Sequence, residues 1–165
     1  MQIDTLMLSG DAELVAQEIG RQAGVGQAQG LVKPDEKAGF VDRLREQGHT
    51  VAMVGDGIND APALAAADVG IAMGTGTDVA METAGVTLMR ADPRLVAGSV
   101  AASRATFRKI RQNLFWAFVY NVIGIPLAAF GELTPAVAGL AMALSSVSVV
   151  TNSLLLRTWR PPSDD

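Results

Sequence analysis

The chain has 165 residues, enough for one modest soluble domain and a membrane hairpin but not for two full domains. Its net charge of −4, without a basic block, excludes a protein that binds nucleic acid by charge, and the lack of cysteine excludes disulfide bonds. The hydrophobic share of 49% and the mean hydropathy of +0.28 are high for a soluble protein, and the apolar excess lies after Leu114.

Strand and helix patterns alternate over about the first ninety residues. Short apolar runs predict buried parallel strands at 5–8, 50–54, 69–72 and 86–89. Helical patterns lie between them, at 11–23, 35–47, about 60–66 and 78–84. Asp11 and Asp35 are expected to begin helices, and Gly24 and Gly48 to end them. This alternation predicts an open parallel sheet of the doubly wound α/β kind.

The first candidate site residues lie in the loop Ser9-Gly10-Asp11, just beyond the first predicted strand, where such sheets bind ligands. A serine hydroxyl and backbone N–H groups suit a phosphate, although Ser and Asp also simply begin helices. Lys37 follows one turn into a helix. It is placed to neutralise a phosphoryl group, and a solvated helix face is the alternative.

The second candidate site is the loop Gly55-Asp56-Gly57-Ile58-Asn59-Asp60 at the next strand tip. Asp56 offers Mg²⁺ a hard oxygen ligand, and Asn59 can donate to a phosphoryl oxygen. The alternative is a polar turn in which Asp60 caps the helix that contains Pro62. The pattern favours a functional role for Asp56 and leaves both interpretations of Asp60 open. The later run 74–78 lacks the lysine of a phosphate-binding P-loop and is interpreted as a turn.

From Pro93 onward the pattern is helical up to Gly131, which predicts a stalk helix that runs into a first membrane helix. The apolar stretches 114–130 and 133–156 are each long enough to cross a bilayer. Basic residues flank this pair only at its outer ends, and the 131–132 loop has none, so both ends are expected in the cytoplasm. Trp116 and Trp159 lie near the same interface. The basic residues are Arg104, Arg108, Lys109 and Arg111 before the first stretch, and Arg157 and Arg160 after the second.

Residues with polar or sulfur-containing side chains interrupt both apolar stretches: Tyr120 and Asn121 in the first, and Met142, Ser145, Ser146 and Asn152 in the second. Polar groups at membrane depth are costly and usually serve an ion or substrate path. A thioether among them indicates a soft metal such as Cu(I). The alternatives are lipid contact or packing for Met142 and close helix contact for the serines.

Four motifs of the soluble part resemble the distal phosphorylation domain of P-type ATPases: Ser9-Gly10-Asp11, Pro34-Asp35-Glu36-Lys37, the run 54–64 and the run 70–80. Tyr120-Asn121 and Met142-x-x-Ser145-Ser146 resemble the last two membrane helices of the copper-exporting, heavy-metal branch. The resemblance implies an incomplete haloacid-dehalogenase-like (Rossmann-type) parallel-sheet domain at 1–92, a stalk helix at 93–112, two transmembrane helices at 113–158 and a disordered tail at 159–165.

The resemblance also implies roles for matching positions. Asp56 would bind Mg²⁺, and Asp60 would order its loop. Ser9, Gly10, Lys37 and Asn59 would hold the phosphoryl group, and Ser9 stands where the family usually has threonine. Tyr120, Asn121, Met142 and Ser145 would line the Cu(I) path.

Several family elements have no counterpart in the sequence: the phosphorylated Asp-Lys-Thr-Gly-Thr motif, the nucleotide-binding and actuator domains, and the membrane Cys-Pro-Cys motif. All are expected upstream of Met1. The resemblance therefore implies the C-terminal segment of a multi-pass plasma-membrane pump, with its soluble part in the cytoplasm. It would work with Mg²⁺, ATP and transported Cu(I), with the bilayer and the rest of the pump as partners, and without nucleic acid.

Three alternatives remain to that prediction. The first is a standalone, non-enzymatic membrane protein that binds metal or another subunit. The second is a segment of a Zn²⁺ or Cd²⁺ pump, which the lack of a carboxylate or lysine between Leu133 and Leu156 disfavours. The third is a soluble phosphatase of the same fold, which lacks support because the nucleophilic aspartate is missing.

Overall fold

The computed structural model describes residues 3–56, 58–74 and 78–160, without the side chain of Ile58. The chain divides into two compact units, Met1–Pro93 and Arg94–Asp165. The predicted turn at 74–78 lies mostly outside the described residues, as does most of the predicted tail.

The first unit alternates short strands and helices, which confirms the predicted α/β class. Each predicted element is present with a shift of one or two residues at most ends. The elements are β1 (Leu6–Leu8), α1 (Glu13–Gln22), β2 (Gln27–Gln29), α2 (Pro34–Glu46), β3 (Ala52–Gly55), a 3₁₀ turn (Ile58–Asp60), α3 (Ala61–Ala66), β4 (Val69–Met73), α4 (Asp78–Thr83) and β5 (Val86–Leu88).

The strands pair in parallel, in two sheets of order β1-β2 and β3-β4-β5. The prediction of four strands in one sheet was wrong in two respects: the structure describes five strands, and they form two sheets. Strand β2 was missed because Gln27-Ala28-Gln29 is mainly polar and pairs through its backbone. Among the described strands, β1 and β3 each have a hydrogen-bonded neighbour on one side only.

The ends of α1 and α2 are set mainly by backbone groups. Gly24 and Gly48 have φ angles of 69° and 87°, which confirms that they end the two helices. The predicted helix starts need correction, because α1 follows Ala12 without a side-chain cap and α2 begins at Pro34. At α2 the N–H of Lys33 donates to Glu36 Oε2 at 2.9 Å, so Asp35 does not cap the helix. Pro34 is pre-organised for that first position.

A small buried cluster holds α3 and α4 against β4. It consists of Leu64, Ala72 and Ala80, with Met53 and Met81 packed against it. Small side chains at two of the three core positions allow the helices to approach the sheet closely. The loop between β3 and α3 therefore joins two elements that pack together through this cluster.

The Asp68 side chain, just before β4, links the C-terminal end of α2 to the start of β3. Its carboxylate accepts a hydrogen bond from the Val51 N–H at 2.9 Å and lies 3.1 Å from Arg45 Nε. The Val51 hydrogen bond, together with the charge of Arg45, lowers the pKa of Asp68.

A carboxyl group whose pKa is lower in the folded state stabilises the fold above its unfolded pKa of about 3.9. That stabilisation is lost as the pH falls through the lowered, folded-state pKa. We expect Asp68→Asn to flatten the acid side of the stability curve, measured as the thermal midpoint between pH 6 and pH 3. Asp42→Asn, on the exposed face of α2, is the matched control. Equal acid slopes for wild type and Asp68→Asn would contradict this account.

The second unit contains two long helices, α5 (Arg94–Ala129) and α6 (Pro135–Leu154), and a final 3₁₀ turn (Leu155–Thr158). Helix α5 continues through Pro126, so the predicted stalk and first span form one helix, as expected. Gly131, at φ 75°, turns the chain, and Thr134 Oγ1 accepts from the Val137 N–H at 3.3 Å to cap α6. Pro135 suits the first helical position.

One helix of the described chain is long and apolar enough to cross a membrane. It covers Pro135–Thr158, with a mean hydropathy of 1.6 and none of its apolar window buried within the structure. Among the described residues, α5 does not meet the same criterion. Its apolar part begins only at Leu114, contains Tyr120 and Asn121, and ends at Ala129. The second apolar stretch is thus supported as a candidate span, whereas the first remains a prediction.

Candidate functional site

The loop after β3 is built around a partly buried ion pair. Lys37 Nζ lies 2.7 Å from Asp60 Oδ1, and the two side chains are 17% and 11% exposed. Asp60 is the buried polar residue of the described core. The alternative interpretation of Lys37 as part of a solvated helix face is therefore wrong. Helix α2 instead places the Lys37 ammonium group beside the loop that follows β3.

Asp60 orients its loop and does not cap α3 through its side chain. It occupies the position before α3, but no side-chain hydrogen bond to the helix is present there. Its second carboxylate oxygen lies 3.4 Å from the Asp56 backbone nitrogen, which donates to it. Of the two interpretations that the sequence left open, helix capping is wrong, and the carboxylate links Lys37 to the backbone at Asp56.

Gly55 is required by the close approach of Asp60. A Cβ atom at Gly55 would lie 2.6 Å from Asp60 Cβ and 2.9 Å from Asp60 Oδ2. The missing side chain at this position therefore leaves room for the Asp60 carboxylate.

We expect Gly55→Ala to displace Asp60 and to break its ion pair with Lys37. Overpacking of this kind costs about 1–3 kcal/mol of folding stability. The change is measured as the shift in the denaturant midpoint of the purified chain. Gly39→Ala on α2 is the control, because the nearest atom to its added Cβ is the end of the Arg43 side chain at 3.6 Å. An unchanged midpoint for Gly55→Ala would show that Asp60 has room to move.

Asp56 and Asn59 lie at the carboxyl end of β3 and both are exposed. A carboxylate oxygen is a hard ligand of the kind that Mg²⁺ prefers, and Mg²⁺ is commonly held by one or two carboxylates plus phosphate oxygens. Among the described residues, no group of three or more acidic, histidine or cysteine side chains could hold a metal ion. Asp56 is thus an exposed carboxylate at the tip of β3, without further acidic, histidine or cysteine groups clustered around it among the described residues.

Ser9 and Gly10 belong to a second set of loops. Ser9 Oγ donates to Asp11 Oδ2 at 2.8 Å and accepts from the Asp11 N–H at 3.2 Å. The alternative in which Ser9 or Asp11 caps α1 is therefore wrong, because the two side chains bond to each other. The Val32 N–H donates to the Ser9 carbonyl at 2.9 Å, which ties this loop to the segment that leads into α2.

Contacts in the structure thus join Lys37, Asp60 and Asp56. Ser9 instead contacts Asp11 in its own loop, and its backbone bonds to Gln29 at the end of β2 and to Val32 just after it. The pairing of Lys37 with Asp60 was missed by sequence reasoning. The two residues are 23 positions apart, and no local pattern links them.

The four predicted copper ligands differ in exposure. The Tyr120 hydroxyl lies 3.5 Å from Ser148 Oγ, and Asn121 Nδ2 donates to the Ala117 carbonyl at 2.7 Å. Ser145 is half-buried, whereas Met142 is 72% exposed. Packing within the α5–α6 pair is therefore excluded as the role of Met142, and its thioether is open to groups outside the pair.

A chain of side-chain hydrogen bonds fixes α5 against α6. Lys109 Nζ donates to Asn152 Oδ1 at 2.9 Å, and Asn152 Nδ2 donates to Asn113 Oδ1 at 2.7 Å. Asn113 Nδ2 donates in turn to Ser153 Oγ at 2.8 Å. The α5 partners in these bonds, Lys109 and Asn113, lie just before the apolar part of that helix begins at Leu114. The sequence indicates Asn152 as a polar residue of the second predicted span, but it does not indicate the hydrogen-bond partners of that residue.

Comparison with known proteins agrees with this architecture. Residues 1–68 match the family model of the haloacid dehalogenase-like hydrolases. Over 160 residues the chain is 56% identical to a copper-exporting P-type ATPase of Staphylococcus aureus (strain bovine RF122 / ET3-1) and 57% identical to that of Staphylococcus haemolyticus (strain JCSC1435). These alignments cover 97% of this chain and 20% of each relative.

Among solved structures, the chain matches a zinc-transporting PIB-type ATPase, with a TM-score of 0.81 and 38% identity. The match covers 92% of this chain and 25% of that one. A second structure of a zinc-transporting PIB-type ATPase, in a different state, gives the same TM-score and identity.

A haloacid-dehalogenase-like parallel-sheet unit followed by a candidate membrane helix is the architecture of a P-type ATPase segment. The chain belongs to the heavy-metal P-type ATPases, and the curated relatives it matches are copper exporters. It spans about a fifth of the length of those relatives.

Proposed function

We propose that this chain is the C-terminal segment of an ATP-driven Cu(I) pump and completes the pump's magnesium and phosphate site. The observation that carries the proposal is the Lys37–Asp60 ion pair at the carboxyl end of β3. The phosphorylated aspartate comes from another part of the pump, so the segment is catalytically incomplete alone.

The ion pair suits a phosphoryl group for electrostatic reasons. A lysine ammonium has three donors, and Asp60 accepts from one of them. The other two are available to phosphoryl oxygens, while the carboxylate holds the cation in place before the substrate arrives. Pre-organised charge of this kind stabilises the negative charge that develops during phosphoryl transfer. Asn59 adds an exposed amide donor beside it, and the Ser9-Gly10 loop adds a hydroxyl and an N–H.

Asp56 would hold Mg²⁺ together with ligands from the rest of the pump. The bound ion neutralises charge on the phosphoryl oxygens. ATP itself would be bound mainly by the nucleotide-binding domain of the complete pump.

The open strand edges support a shared site. Both β1 and β3 have one hydrogen-bonded neighbour among the described strands, and each leads into a loop with proposed site residues. An unpaired edge is a template for another strand. A strand from the upstream part of the pump would pair there in parallel and bring its aspartate towards Ser9, Gly10 and Asp56.

The proposed Cu(I) path includes Tyr120, Asn121, Met142 and Ser145. Met142 supports it because its exposed thioether is a soft ligand that other membrane helices can reach. In this proposal the pump lies in the plasma membrane with several spans and with the phosphate site in the cytoplasm. The basic residues that flank the helical pair support that orientation.

Zinc is the second candidate cargo, because the chain resembles a zinc-transporting ATPase in structure. Zn²⁺ is usually bound by histidine, cysteine or carboxylate groups. Residues 133–156 contain none of these, and the sequence is more similar to the copper exporters. Both observations favour Cu(I).

The experiment compares the isolated chain with an intact pump that contains it. Both are given γ-labelled ATP, Mg²⁺ and Cu(I), and ATP hydrolysis is followed. We expect Cu(I)-stimulated hydrolysis from the intact pump and none from the isolated chain. Turnover by the isolated chain, or an intact pump that responds to Zn²⁺ and not to Cu(I), would contradict the proposal.

A further inference from the structure

One face of α5 carries a stripe in which basic residues give way to aromatic ones. Most of its members recur at helical spacing, and together they line a shallow, open depression on the surface of α5. They are Arg104, Phe107, Arg108, Arg111, Phe115 and Trp116, and we call them the basic–aromatic stripe.

Apart from Trp116, the stripe faces away from α6. The α5 residues that hydrogen-bond to α6 are Lys109, Asn113 and Tyr120. At 3.6 residues per turn, that set lies about 160° around the helix axis from the centre of the other five stripe residues, whereas Trp116 lies at the edge of the stripe nearest α6, about 40° from the set. The stripe is open in the helical pair, since Phe107 and Phe115 are each 61% exposed and Trp116 is 44% exposed.

Along the stripe, basic residues come first and the aromatic pair follows. A helix that enters a membrane meets headgroup phosphates and acyl chains in the same order. The guanidinium groups lie towards the start of α5, and the rings of Phe115 and Trp116 lie beside the point where the helix becomes apolar, at Leu114. The two rings pack edge to face with their centres 5.7 Å apart. Tryptophan prefers the level of the lipid headgroups, and guanidinium binds phosphate oxygens in pairs.

We infer that the basic–aromatic stripe is a binding site for an anionic phospholipid of the cytoplasmic leaflet. Arg108 and Arg111 hold the headgroup phosphate, and Phe115 and Trp116 contact the start of the acyl chains. The inference rests on the proposed function only for the membrane orientation of α5. Clusters of basic residues next to a membrane helix attract anionic lipids.

The test uses an intact pump that contains this chain, in vesicles of phosphatidylcholine with increasing fractions of phosphatidylglycerol, prepared twice so that first one lipid and then the other is brominated. Bromine quenches tryptophan fluorescence on contact, and the part due to Trp116 is obtained by difference from a Trp116→Phe variant. We expect phosphatidylglycerol to displace phosphatidylcholine at Trp116, and Arg108→Gln/Arg111→Gln to weaken that preference about thirtyfold. Arg157→Gln/Arg160→Gln, which removes the same charge from the end of α6, should keep the wild-type preference.

Equal quenching by the two lipids in the wild-type pump would overturn the inference. So would an equal loss in both double variants, because that result would show a general effect of charge. Lack of quenching at Trp116 by either brominated lipid would overturn it too, by showing that another part of the pump covers the stripe. None of these readings requires turnover, so they are distinct from a failure of the proposed pump activity.

Discussion

Replacement of Lys37 by alanine in an intact pump should lower phosphorylation by ATP by about 100-fold or more, the range seen when one pre-organised donor to a transition state is removed. Lys37 is the cation that α2 delivers to the tip of β3, and Asp60 holds it at 2.7 Å. Without it, the developing charge on the phosphoryl oxygens loses its nearest partner in this chain. The measurement is acid-stable phosphate incorporated from γ-labelled ATP in the first second.

Two further variants separate phosphate chemistry from folding. Lys37→Ala leaves the Asp60 carboxylate buried without its partner, which is itself destabilising. Lys37→Met/Asp60→Asn removes both charges and should restore stability without restoring phosphorylation. Lys33→Ala is the matched control, since Lys33 lies one turn earlier and its side chain is exposed. The proposed role fails if Lys37→Met/Asp60→Asn incorporates phosphate at the wild-type rate.

Met142→Ala should abolish the Cu(I)-stimulated phosphorylation of an intact pump by ATP and leave its phosphorylation by inorganic phosphate in place. The thioether is the soft ligand of the proposed path, and Cu(I) binds oxygen and amide groups poorly without one. Phosphorylation by inorganic phosphate reports the site at β3 and does not require metal at the membrane site. The two labelling reactions therefore isolate the membrane site from the phosphate site.

Leu140→Ala is the matched control for Met142, because Leu140 is also an exposed apolar residue of α6, at 61%. It should keep the wild-type response to Cu(I). A normal metal response in Met142→Ala would remove the basis for Cu(I) as the cargo. It would leave the phosphate site of the soluble unit untouched.

The elements of the soluble unit were predictable from sequence because most of its strands are apolar runs and its first two helices end at glycines. Strand β2 was not, since a strand of two glutamines and one alanine is defined by backbone pairing alone. The arrangement in two sheets was also beyond the sequence. The order of parallel strands depends on contacts between segments that lie far apart in the chain.

The composition of the candidate site was predictable, but its internal contacts were not. The run from Gly55 to Asp60 is predicted to be a functional loop from its residue types and from the family resemblance. The link from Asp60 to Lys37 arises only when α2 packs against α3 and the 3₁₀ turn, and the need for glycine at position 55 arises only because that turn brings Asp60 close to β3. Local sequence also suggested a cap at Asp60, because an acid before a helix has that role when no cation is near.

For the second unit, the sequence predicted one continuous helix from stalk to span, and α5 has that form. The hydrogen bonds between Lys109, Asn113 and Asn152 depend on the register of two antiparallel helices, which the sequence does not specify. Met142 was proposed as a ligand from its residue type, and the structure adds that its side chain is exposed.

We propose that this chain completes a phosphoryl-transfer site whose nucleophile lies in another part of the pump. The direct measurement is the position of the phosphate in an intact pump, after acid quench, proteolysis and mass spectrometry of the labelled peptides. We expect a phosphoaspartate outside residues 1–165, at a level that falls in Lys37→Ala. A phosphorylated carboxylate within this chain, at Asp56 or elsewhere, would contradict it.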